Sequence, residues 1–212
     1  ENTNFEIGHK ADFLNNTLRI NTALFYTEFE NLQRNQVVPF TDASGNPSQE
    51  TITVNAGEST HYGLEVEATW LATENLTLRA SLGLLEAEYD EFEWDPQPNN
   101  PDTGITDFSD LDVPFSSPVQ FAIDVTYDMQ LDSGSVLTLN FNANYQDEAE
   151  GSPFDPNAAV LIPAVIRHPT NSQIESRTLV NASATYRPAS DNFYLTVFGA
   201  NLTDENTRTG AN

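Results

Sequence analysis

The chain has 212 residues, 38% of them hydrophobic, with a mean hydropathy of −0.43 and a net charge of −24. Its 32 acidic residues against eight basic ones exclude nucleic acid as a partner, because phosphate binding needs clustered Lys and Arg. The lack of cysteine excludes disulfides and thiolate metal sites, and no run approaches the roughly 18–20 apolar residues of a membrane-crossing helix.

Alternation of apolar and polar residues begins at once and recurs throughout. In the first segment Phe5, Ile7, His9, Ala11 and Phe13 oppose Glu6, Gly8, Lys10 and Asp12. In the second, Leu18, Ile20, Leu24 and Tyr26 oppose Arg19 and Asn21. Leu64, Val66, Ala68 and Trp70 then oppose Gly63, Glu65, Glu67 and Thr69, and Leu76 to Leu84 repeats the pattern around Thr77, Arg79, Ser81 and Gly83. Val119 to Met129 places Phe121, Ile123 and Val125 opposite Ala122, Asp124 and Thr126. Leu137 to Tyr145 carries Asn140, Asn142 and Asn144 on its polar face, and two weaker segments follow, Leu179 to Arg187 and Phe193 to Leu202. The pattern predicts about eight strands, close to the roughly 9–11 residues a tilted spanning strand requires.

The connections alternate in length. Leu14 to Asn16, Ala72 to Asn75, Gln130 to Gly134 and Pro188 to Asn192 are short and built from turn residues. Arg34 to Glu50, Asp90 to Ser117 and Asp147 to Ser172 are long and rich in Pro, Gly, Asn and Asp. Short turns at one end and long loops at the other are the mark of an outer-membrane barrel, its short turns in the periplasm. Tyr26, Trp70, Tyr127, Tyr145 and Tyr186 stand near the ends of apolar faces, as an interfacial girdle requires. The fold class expected is therefore all-β, an antiparallel up-and-down transmembrane barrel. Alternation by itself also admits a small barrel that closes on eight strands, or a soluble acidic β-sandwich that binds carbohydrate.

Particular runs resemble the TonB-dependent receptors of the Gram-negative outer membrane. The opening Glu1 to Lys10 resembles a strand of that family. Leu18 to Tyr26, ending in Asn31-Leu32-Gln33, is similar to the next. Asn55-Ala56-Gly57 followed by Tyr62-Gly63-Leu64-Glu65 looks like the family's Asn-Ala-Gly and Gly-Leu-Glu pair. Leu82 to Tyr89 matches the following strand, Val113-Pro114 with Ser117-Pro118 resembles a loop exit, and Asn201-Leu202-Thr203-Asp204 resembles the family's Asn-Leu-Thr-Asp signature. Order and spacing across nearly the whole chain carry the resemblance. It implies that residues 1–212 are the later strands of a barrel of about 22. The plug domain, the earlier strands and the final strand would lie outside this chain, which has no methionine start. It also implies outer-membrane lipid as surroundings, a scarce extracellular ligand, a ferric siderophore foremost, and TonB as a partner through the plug. No resident cofactor or metal and no enzymatic activity are expected.

Independently of the resemblance, Gly63 and Gly199 are expected at close packing or bends, and Asn201 and Asp204 at a turn. For ligand contact the loop after Asp90 is the strongest candidate. Phe92, Trp94 and Phe108 could stack on sugar or catechol rings, with Asp95 and Asp110 beside them as carboxylates. Acidic oxygens there also suit calcium, although the spacing matches no EF-hand loop. His9, His61 and His168 are weak haem-ligand candidates, and Ala158 to Ile166 reads as a segment packed on its own loop or a mobile lid. The inward Glu65, Glu67, Arg79 and Asp124 are expected to satisfy one another or to face the plug.

Overall fold

A computed structural model describes residues 1–55, 57–94, 104–151 and 173–206. The predicted strands form one antiparallel sheet of eight: β1 (Asn2–Phe13), β2 (Leu18–Phe29), β5 (Glu58–Leu71), β6 (Leu76–Glu91), β9 (Val119–Gln130), β10 (Val136–Gln146), β13 (Arg177–Arg187) and β14 (Leu195–Gly199), in that spatial order. Each strand pairs with its neighbour in the meander. Among the described residues β1 and β14 do not pair with each other, so the sheet is open. The remaining strands are short excursions at the long-loop end: β3 (Gln33–Thr41) with β4 (Pro47–Asn55), β7 (Glu93–Trp94) with β8 (Thr106–Asp107), and β11 (Ala149–Glu150) with β12 (Gln173–Ile174).

Register makes the two faces explicit. One row of opposed residues runs Ala11, Ile20, Ala68, Ala80, Ile123, Ala143, Val180 across seven strands. The next row runs Asp12, Arg19, Thr69, Arg79, Asp124, Asn142, Asn181. Side chains alternate faces along a strand, so a shift of one residue would exchange these rows. The apolar face is not buried: Ile7 is 71% exposed, and Leu24, Trp70, Phe121 and Phe141 are exposed too. A soluble sandwich would cover that face with a second sheet. Among the described residues no apolar side chain of that band is buried.

The turns follow the residues that permit them. The β1–β2 hairpin closes through Leu14, Asn15 and Asn16, all with positive φ, and Thr17 N–H donates to the Leu14 carbonyl at 3.3 Å. Gly134, at φ 77°, closes β9–β10 with its N–H on the Leu131 carbonyl at 2.8 Å. Beside that turn the Ser135 and Tyr186 hydroxyls lie 3.1 Å apart, holding one aromatic of the short-turn end in place.

Three features differ from the sequence expectation. Most of the loop from Arg34 to Glu50 pairs with itself and with residues up to Asn55 as the β3–β4 hairpin, since two extended segments flanking a tight turn satisfy their own backbone. Strand β6 runs on to Glu91, where the alternation has become acidic. The last strand stops at Gly199, and the Asn-Leu-Thr-Asp run is a turn folded back on β13. Asn201 and Asp204 both have positive φ, as a turn there requires. Leu202 N–H donates to the Val180 carbonyl at 2.8 Å, and the Thr203 hydroxyl to the Thr178 carbonyl at 2.7 Å. The Glu205 carboxylate accepts the Thr178 N–H at 3.1 Å, and the Asn201 side chain bonds both backbone groups of Glu205 at 2.9 Å. The motif therefore finishes β13's ladder where β14 has ended.

Candidate ligand-facing loops

The described long connections leave the same end of the sheet and are tied together at their roots. Asn55 Nδ2 donates to Asn31 Oδ1 at 3.1 Å, and Asn55 Oδ1 accepts the Gly57 N–H at 2.9 Å, which closes the base of the β3–β4 hairpin. Gly57 is required there: at φ 74°, a Cβ would stand 2.1 Å from the Glu91 carbonyl oxygen. At the hairpin tip the Asp42 carboxylate accepts the N–H groups of Asn46 and Ser44, both at 2.8 Å, which holds its carboxyl below the usual carboxylate range.

Among the described residues Tyr89, Phe92 and Val113 form a buried cluster, with Leu32, Ile52, Ala87 and Phe108 packed against it. Leu32 and Ile52 come from the first long connection, the others from β6 and the second, so one apolar contact joins two loops. Phe92 is only 1% exposed; its ring centroid lies 4.9 Å from Tyr89 and 5.7 Å from Phe108. Its N–H donates to Ser109 Oγ at 2.9 Å, and its carbonyl accepts the Phe108 N–H at 2.7 Å. Of the residues expected to meet a ligand, Phe92 thus has its faces occupied by packing. Phe108 is half-buried on the same cluster and Asp110 is exposed. Trp94 ends β7 by pairing its backbone with Thr106, and Asp95 lies outside the described residues. Asp107 accepts the hydroxyl and N–H of Ser109, the latter at 2.9 Å, which lowers its pKa.

The second and third loops meet through Ser117, which is buried. Its Oγ lies 3.0 Å from the Asp147 carbonyl and 3.2 Å from that of Val119, and Phe115 N–H donates to the Glu150 carbonyl at 2.7 Å. Sequence reading took these residues as a loop exit and missed their role as a tie, which depends on a strand thirty residues away. Ala158 to Ile166 and His168 lie outside the described residues. His61 lies 4.9 Å from Phe29, ring to ring and tilted, and opposite Ala87 of β6, and His9 stands on the apolar face of β1. Among the described residues no three His, Asp or Glu groups are gathered to hold a cation.

The polar face below the loops is hydrogen-bonded across strands. Arg79 reaches Asp124 at 3.2 Å, Asn140 donates to the other Asp124 oxygen at 2.8 Å, and Asn144 and Asn181 both donate to Asn142 Oδ1. Arg19 pairs with Asp12 at 2.8 Å, and Asn21 donates to Glu67 at 3.3 Å. A concavity of about 590 Å³ lies on this face, lined in part by Phe25, Glu65, Glu67, Gln120, Asn144 and Arg177. A groove of similar size on the other face is walled by Phe5, Ile7, Leu24, Tyr26 and Tyr62 and carries almost no polar surface.

The fold is shared by solved receptors. The ferric yersiniabactin uptake receptor FyuA from Yersinia pestis superposes with a TM-score of 0.68 at 16% identity, covering 99% of this chain and 26% of its own. The siderophore receptor PiuA from Acinetobacter baumannii gives 0.66 at 24% identity, with 99% and 25% covered. The ferric-catecholate import receptor Fiu from K12 E. coli gives 0.60 at 20%, with 96% and 23% covered. The chain thus spans about a quarter of the length of these receptors. The family model of the TonB dependent receptor-like β-barrel matches residues 1–202, and the chain belongs to that family.

Proposed function

We propose that this chain forms later strands of the barrel wall of an outer-membrane receptor, and that the receptor takes up a ferric siderophore with energy delivered through TonB. The observation that carries the reading is the pairing of an exposed apolar face with a hydrogen-bonded polar one in a single open sheet. Lipid suits the first face and a wetted, plugged lumen the second. The siderophore rests on likeness to receptors whose own names state such ligands. On this reading the long connections face outside the cell, the short turns face the periplasm, and the plug that couples to TonB lies beyond this chain. The loop from Asp90 to Asp112 contributes to ligand capture. Within it Trp94, Asp95 and Asp110 are the contacts proposed, Phe108 gives a partial edge, and Phe92 serves the packing of the loop.

The test is uptake. Cells whose sole siderophore receptor is the whole protein are given radioiron as a tris-catecholate and as a tris-hydroxamate complex, with and without a working TonB. Accumulation of one complex that stops when TonB is lost supports the proposal. No TonB-dependent accumulation of either complex overturns the siderophore assignment.

A further inference from the structure

Eight described residues other than glycine have positive φ, and six of them are Asn or Asp, whose short polar side chains tolerate that region. The two bulky ones are Leu14 and Phe115. Leu14 opens a tight hairpin whose next two residues share its conformation, so the turn imposes it. Phe115 sits in no hairpin. It stands in the root segment of the second loop at φ 61°, held by its N–H on the Glu150 carbonyl. Val113 and Pro114 before it and Ser117 after it are buried, yet Phe115 is 62% exposed. The chain therefore keeps a large aromatic in a conformation that suits Gly or Asn, and leaves its ring exposed. Neither feature adds to the packing among the described residues, and strain of this kind concentrates where a side chain is held for use.

We propose that Phe115 is a ligand-contact residue: at the junction of the second and third loops, its ring offers a flat apolar surface to an aromatic or apolar part of the ligand. This rests on the receptor reading above and adds a residue to it. The tethers on both sides fix the backbone that carries the ring before the ligand arrives, so little loop freedom is lost on contact.

The experiment uses the whole receptor in detergent, with the tris-catecholate and tris-hydroxamate ferric complexes as probes. Phe115→Gly, which suits the backbone, is expected to weaken binding of the recognised complex tenfold or more while the unfolding temperature stays level or rises. Phe115→Tyr, which keeps the ring, is expected to stay within about threefold of the unmodified receptor. Phe115→Gly binding as tightly as the unmodified protein overturns the proposal alone. Weaker binding together with a lower unfolding temperature also overturns it, because the ring would then be supporting the loop. Failure of the unmodified receptor to bind either complex overturns the siderophore reading and this inference with it.

Discussion

Single residues show which local rules decide this wall. Two glycines on the polar face make opposite demands. At Gly63 a Cβ would lie 2.2 Å from the Leu84 carbonyl oxygen and 2.6 Å from the Phe25 ring, so the strands approach there only without a side chain. At Gly83 the nearest such contact is Gln120 Cβ at 4.0 Å, an ordinary van der Waals distance. Gly63→Ala should therefore destabilise the whole receptor by about 1–3 kcal/mol, whereas Gly83→Ala should be neutral or stabilising by up to about 1 kcal/mol. Urea midpoints of the refolded receptor compare them, and equal effects would refute the close-approach argument. Asp124 illustrates a paired polar position. Asp124→Asn keeps an acceptor for Asn140 and, at a solvated pair, should cost within about 1 kcal/mol. Asp124→Arg sets a second cation against Arg79 and should cost more. The pairing of Arg79 with Asp124 follows the sequence expectation; the involvement of Asn140 depends on side-chain geometry that alternation does not carry.

At the scale of elements, strands were legible wherever one face was continuously apolar, as in Val119 to Met129. They were less so where the apolar residues changed faces or the alternation was broken. Along β6 the alternation changes face after Leu84, and the strand to Tyr89 was legible only through the family resemblance; the β3–β4 hairpin, with Val37-Val38 and Thr51-Ile52-Thr53-Val54 as its β-branched runs, was read as loop. The burial of Phe92 was out of reach for a different reason: its partners include Ile52 and Leu32, separated from it by a whole hairpin. That cluster makes a joint prediction. Phe92→Ala removes a buried ring, a change worth about 3–5 kcal/mol in a packed core. Here it should loosen two loops at once, so protease cleavage within 33–55 and within 91–113 should rise together. Cleavage rising in the second loop alone would show that the cluster does not join them. Asp107 adds a pH dependence. Its carboxyl is held below the usual value by Ser109, whose hydroxyl also receives the Phe92 N–H. A depressed pKa stabilises the folded loop above the unfolded value and is lost as pH falls through the folded one. Loop protection against an acid protease should therefore weaken below about pH 4, and Asp107→Asn should flatten that step.

For the whole molecule, the open sheet leaves the outer edges of β1 and β14 without partners among the described residues. Such edges are costly in hydrocarbon, where no water can satisfy them. The 212-residue chain refolded alone in detergent should thus give no heat-modifiable monomer, and a compact one would favour a small barrel closed on eight strands. The claim on which everything else depends is that the apolar face meets lipid and the polar face the lumen. Ile123→Arg should cost on the order of 2–4 kcal/mol near the bilayer middle, but a buried sandwich core would rank it similarly, so stability alone does not decide. Spin labels placed singly at positions 123 and 124 of the whole receptor in bilayers do decide. The label at 123 should be open to oxygen dissolved in lipid and shielded from a water-soluble relaxant, with the preference reversed at 124. The same environment at both positions, or a label at 123 that lipid-borne oxygen does not reach, would contradict the account.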